Sequence, residues 1–238
     1  MSITMTREQR YQLRHLELER AGHPRNPGEL DLLEAAAFIA GEQVTDHPAC
    51  VDRTVIYLGL GVNDVLDWDE RQSLKALVPF MIGTADDGQG MRRLCLALRW
   101  AATTLAPELV GRLGYWDHAE RIDQWRKTLP LYPDGAWTPV LNLLEQARLA
   151  VRGAYERTDW TGLEVQAQEH VDVQNMLGRI VAALTDFVDP EFTYGEADQI
   201  AGTLGEIFTV QLRYNWTPLH PILVRFMADL VHTGRSYL

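Results

Sequence analysis

MRRLCLALRWAATTL, Met91 to Leu105, is the stretch on which the fold turns. Leu94, Cys95, Leu98 and Ala101 or Ala102 recur every three to four residues, the spacing of one helix face. A half-buried strand would alternate every second residue, and no such alternation persists anywhere in the chain. Upstream, Leu30, Leu33, Ala37 and Ala40 form a second apolar face, with Pro27 and Gly28 before it and Gly41 after it. Val51, Val55, Leu58 and Val62 form a third, on a helix expected to begin near Thr45 or Asp46. Leu74, Leu77, Val78 and Met81 form a fourth, opened by Asp67 or Asp69 and closed by Gly83. TADDGQG, Thr84 to Gly90, reads as a loop, and Arg92 and Arg93 after it as a solvated pair.

Downstream, Pro107 breaks the central helix or opens a short successor to Leu113. Gly114 to Trp137 changes character, with Trp116, Trp125, Trp137, Pro130 and Pro133 around one short helix, Asp117 to Lys127. Thr138 then suits an N-cap and Pro139 a first turn. Leu143, Leu144, Ala147 and Val151 line that helix. Another runs from about Leu163 to Val188 and stops at Pro190. Gly195 to Tyr214 and Pro218 to His232 supply the last two. The expected fold is all-α, a bundle of nine or ten helices. Its expected parts are an N-terminal half at 1–114, a connector at 115–137 and a C-terminal half at 138–238.

The chain has 238 residues, 46% of them hydrophobic, which is enough to bury a core without staples. Two cysteines, Cys50 and Cys95, make no disulfide framework. The formal charge of -11 repels phosphate backbones and argues against nucleic-acid binding. No secretory signal opens the chain, and no run approaches the roughly 20 apolar residues of a membrane span. These readings point to a soluble, cytoplasmic protein. Lys75 and Lys127 are the only lysines among many arginines, a usage expected of a GC-rich, actinobacterial-type genome.

TDHPACVDR, Thr45 to Arg53, holds an acid, an imidazole and a thiol in six residues. His47 and Cys50 could share a ligand face with Asp46. Zinc needs a fourth partner or a water, and no CxxC or HxxxH supplies one, so the stretch reads as a helix start. No base or oxyanion site is identifiable for Cys50 as a nucleophile. In GLGVNDVLDWDERQ, Gly59 to Gln72, the acids read as a helix end and a helix start rather than a magnesium site, because Arg71 follows Asn63 and Asp67 on the same face. The glycines of DDGQGMRR could cradle a phosphate, but Asp86 and Asp87 oppose an anion. HExxH, GxSxG, the Walker A loop and GxGxxG are all missing.

Asp46-His47-Pro48-x-Cys50-Val51, Asn63-Asp64, Arg71-x-x-Leu74, Ile82-Gly83-Thr84 and Ala97-Leu98-Arg99-Trp100 form a series. The series resembles the pattern of a group of bacterial, actinobacterial-type, all-helical proteins: DHPxCV, ND, RxxL, (V/I)GT and ALxW. The resemblance covers about residues 30 to 110. It implies a helical N-terminal half and no mechanism. It also suggests one polar constellation of Asp46, His47, Cys50, Asn63, Asp64, Arg71 and Thr84, in which Arg71 and Asn63 bond loop and cap groups.

No catalytic set, metal site or cofactor is expected. The leading reading is an acidic helical adaptor or regulator that binds another protein or further copies of itself. Trp116, Trp125 and Trp137 are its expected interface, because tryptophan is over-represented among interface hot spots. The rival is an enzyme, or a metal- or small-ligand-binding protein, with its site around Asp46, His47 and Arg71.

Overall fold

A computed structural model describes residues 5–20, 29–132, 135–189, 191–208 and 219–234. The expected stop at Pro190 lies outside them, as does most of the join between the last two expected helices. The chain divides into two compact units, Met1–Leu94 with Gln211–Leu238, and Cys95–Val210. Residues 115–137 fall inside the second.

The first unit opens with α1 (Arg7–His15) and two short strands, β1 (Glu17–Leu18) and β2 (Glu29–Leu30). The strands pair in parallel, Glu17 with Glu29 and Leu18 with Leu30. Helices α2 (Leu32–Ala40), α3 (Arg53–Val65) and α4 (Trp68–Ser73) follow, and α4 continues through a 3-10 turn into α5 (Val78–Met81). Gly41 ends α2 in the left-handed region at φ 78°, which only glycine adopts without strain. Leu30 belongs to β2, so the helix expected from it starts two residues later. The returning α12 (His220–Val231) packs on α3 and α4. Gly59 marks how closely α2, α3 and α12 approach. A Cβ there would stand 3.0 Å from Leu33 Cδ2 and 3.6 Å from Met227 Cε. Leu32, Leu33, Val55, Val62 and Met227 are buried around this contact. Each such side chain contributes about 1.5–3 kcal/mol through the water it leaves.

The division between the units falls within α6 (Gly90–Trp100). In the second unit α6 widens into one π turn, Ala101–Leu105, and continues as α7 (Ala106–Arg112). Pro107 accounts for the widening. It has no N–H to give, and in a regular helix its ring would meet the carbonyl of Thr103. Proline therefore neither breaks the helix nor starts a separate one. Then come α8 (Trp116–Asp123), α9 (Thr138–Arg157), α10 (Glu164–Val188) and α11 (Ala197–Gly205). Helices α9 and α10 pack on each other, with Val140, Leu144, Ala147 and Val151 facing in from α9 and Val173, Leu177, Ile180 and Leu184 from α10. Pro139 lies in the first turn of α9 as expected, while Thr138 begins the helix without a side-chain cap bond. Taken as continuous runs, the described residues form ten helices beside the two-stranded sheet, an all-α fold.

Candidate functional site

Helix α3 starts at Arg53 rather than at Thr45 or Asp46. Its N-cap is Asp52, whose carboxylate accepts the N–H groups of Thr54 at 3.0 Å and Val55 at 3.4 Å. The reason is local. His47 precedes a proline and is steered away from helical backbone, and its N–H is taken by Thr45 Oγ1 at 3.2 Å. Residues 45–51 are therefore a loop. Asp46 and His47 are exposed on it, with the His47 ring edge-on to Tyr57 at 5.9 Å. Cys50 is half-buried. Burial, aided by the Glu42 carboxylate, pushes its thiol up to about 12, which disfavours the thiolate at neutral pH.

The seven polar positions of the sequence pattern do not form one constellation. Asn63, Asp64 and Arg71 form one knot. Arg71 is buried and donates from Nε to Asn63 O at 2.8 Å and from Nη2 to Leu66 O at 2.7 Å. These bonds satisfy carbonyls at the end of α3, which have no partner within the helix. Arg71 Nη1 faces Glu19 Oε2 at 3.9 Å. Asn63 Nδ2 donates to Glu19 O at 2.8 Å and lies 3.4 Å from Asp64 Oδ1. Gln72 completes the knot by accepting from Leu18 N at 3.1 Å and donating to Leu18 O at 2.8 Å, as a neighbouring strand would.

Cys50 and Thr84 belong to a second knot, centred on a residue that sequence reasoning placed in solvent. Arg93 is 0% exposed. Its Nε donates to Leu230 O at 3.2 Å and its Nη1 to Thr84 O at 3.1 Å. The Asp87 carboxylate grips Nη1, at 2.9 Å, and also Nη2. Asp52 stands 3.9 Å away. Burial raises the Asp52 carboxyl, and the Arg93 charge opposes that rise. Thr84 Oγ1 accepts from Asp52 N at 2.8 Å and donates to Met81 O at 2.6 Å. Cys50 contributes its carbonyl, which accepts from Gly83 N at 2.8 Å. The loop 84–90 is thus pinned at Asp87. The signal was present in the sequence, since Arg93 precedes Ala97 by four residues on the inward face.

A third group joins side chains 150 positions apart. His220 opens α12 and is 3% exposed. Its Nδ1 lies 2.5 Å from Glu70 Oε2 and 3.8 Å from Asp67 Oδ2. Asp67 caps α4 and accepts Glu70 N at 3.1 Å. The fourth acidic feature is the N-cap of α2, where Asp31 accepts Leu33 N at 2.7 Å and Glu34 N at 2.8 Å while Glu34 accepts Asp31 N at 2.9 Å.

The chain matches no protein-family model, no curated protein and no solved structure.

The side chains themselves therefore carry the argument. The Arg71 and Arg93 knots hold backbone carbonyls and helix caps: Arg71 donates to Asn63 O and Leu66 O, and Arg93 to Leu230 O, Thr84 O and the Asp87 carboxylate. Asp46 and His47 share neither knot. In the second unit the three tryptophans have different fates. Trp137 is 1% exposed, and its Nε1 donates to Pro130 O at 3.2 Å, so it packs instead of facing a partner. Trp125 is half-buried. Trp116 is 69% exposed, and its ring lies over Gly111, where a Cβ would stand 3.0 Å from it. Beside it in sequence, Tyr115 meets His170 edge-on at 6.4 Å. His170 meets Trp160 at 4.9 Å, and Trp160 stacks on Tyr155 at 5.6 Å. Leu163 and Val165 follow Trp160 and are exposed. At the other end of α10, Asp186, Asp189, Glu191 and Glu196 border a groove of about 210 Å³ with Phe192 and Ile200. Among the described residues no helix is long and apolar enough to cross a membrane.

Proposed function

We infer that the chain is an acidic helical interaction module, an adaptor or regulator without catalytic chemistry, that binds another protein through the aromatic edge around Trp116. The observation that carries this reading is the exposure of Trp116, next in sequence to Tyr115, which begins the ring series Tyr115, His170, Trp160 and Tyr155. Single exposed apolar residues are ordinary. A rigid aromatic group with apolar neighbours is the composition of an interface hot spot, which loses little entropy on binding. The buried arginines support the same reading from the other side, because their donors end on the protein's own carbonyls and carboxylates. With a formal charge of -11, the module favours a partner with a basic rim around an apolar centre.

The test is native mass spectrometry of the protein isolated from its own host, wild type beside Trp116→Ala. A second polypeptide held in fixed ratio by the wild type and lost from a normally helical variant is the expected result. A bare wild-type chain, or a complex that survives the substitution, overturns the reading.

A further inference from the structure

We propose that Asp67, Glu70 and His220 form a binding site for one divalent transition-metal ion, which bridges the start of α4 to the start of α12. One ligand atom from each residue lies within 4.8 Å of the other two. Around a zinc-sized ion with bonds of about 2.0–2.2 Å, neighbouring ligand atoms stand about 3.0–3.5 Å apart. The present separations of Nδ1 from the two carboxylates, 2.5 and 3.8 Å, bracket that range. Moving the side-chain tips by about an ångström or less closes the gap. The required freedom is where it is needed. Asp67 is exposed and Glu70 partly so, while His220 is buried and held by a helix whose first turn contains Pro221. One rigid imidazole and two adjustable carboxylates leave the solvent side open for water, the pattern of an accessible three-ligand site.

The donor set selects the ion. Two carboxylates with one imidazole suit zinc, manganese or iron(II) better than calcium or magnesium, which prefer all-oxygen shells. The charge also fits. The carboxylates bring two negative charges, and the Arg71 guanidinium, whose charge bears on Asp67, is bonded to Asn63 O and Leu66 O. The site shares no residue with the Trp116 edge.

The experiment is equilibrium dialysis of chelator-stripped protein against Zn²⁺, followed by thermal melts of the loaded and stripped forms. We expect one Zn²⁺ per chain, a higher melting temperature when loaded, and affinity at least about tenfold weaker in Asp67→Asn and His220→Gln. Asparagine keeps the α4 cap, so Asp67→Asn stays folded and decides the matter even if His220→Gln does not. Asp69→Asn, an exposed acid of the same turn, should bind as the wild type does. No saturable uptake, or uptake that Asp67→Asn leaves unchanged, overturns the site and leaves His220–Glu70 as a hydrogen-bonded contact between α12 and α4.

Discussion

Asp31 is 3% exposed yet caps α2 with its carboxylate. Burial outweighs the cap bonds and pushes its carboxyl up to about 7 from 3.8. In the unfolded chain it ionises near its ordinary value, so between these limits the native state holds the extra proton. Stability contributed by this group is present below about pH 4 and is lost as pH rises towards 7. We expect Asp31→Asn, which still caps, to remove that loss. In urea titrations the variant should gain on the order of 2–4 kcal/mol over wild type between pH 4.5 and 7.5. Arg93 is the converse case, a charge whose bonds make its burial tolerable. Arg93→Met would leave Asp87, Thr84 O and Leu230 O without it, and we expect a loss of about 3–5 kcal/mol, read as a lowered midpoint in urea. Arg93→Lys keeps the charge without the planar fork and should fall between the two. At this scale the sequence was least legible. Arg93 reads as half of a solvated pair although it stands four residues before Ala97, and only the positions of Leu230 and Asp87 show why a buried arginine can sit there. His220 and Glu70 are separated by 150 residues, and no local pattern connects them.

Helices α2 and α3 cross where α3 has no side chain, at Gly59. Gly59→Ala adds helix propensity and asks only the tip of Leu33 to move, so its effect should stay within about 1 kcal/mol. Gly59→Val drives a branched side chain against Leu33 and Met227 and should cost about 1–3 kcal/mol in urea titrations. The elements themselves were largely readable. The apolar spacing of α2, α3, α9 and α10 dictated helices, and Gly41 ended α2 as expected. What escaped were the starts. Thr45, Asp46 and Asp52 are equally good caps by composition; the His47–Pro48 step turns the chain away from helix after the first two, and Thr84 Oγ1, 32 residues on, accepts the Asp52 N–H. The π turn escaped too, because a proline inside a helix can end it, bend it or widen it, and burial on both sides of residues 101–105 favours keeping the run continuous.

The whole chain carries 33 acidic and 22 basic residues, and its sequence pI is about 5.1. We expect firm retention on an anion exchanger at pH 7 and none on heparin at about 0.1 M salt, where fields beyond about 10 Å are screened. Retention on heparin would expose a basic patch at odds with an acidic adaptor. Charge and helix content were legible from composition, whereas the division into units was not, since the first unit draws on both ends of the chain. That division has a temporal side. Arg93 and the Leu230 carbonyl it holds are 137 residues apart. At a synthesis rate of about 5–20 residues per second, the ribosome makes the second about 7–27 s after the first. During that interval the faces of α3 and α4 that α12 will cover are already made and waiting. The intervening segment, 95–210, is a compact unit with its own buried apolar residues. A chain cut short before α12 would be left with that apolar surface permanently open, a mark by which chaperones and proteases recognise unfinished proteins.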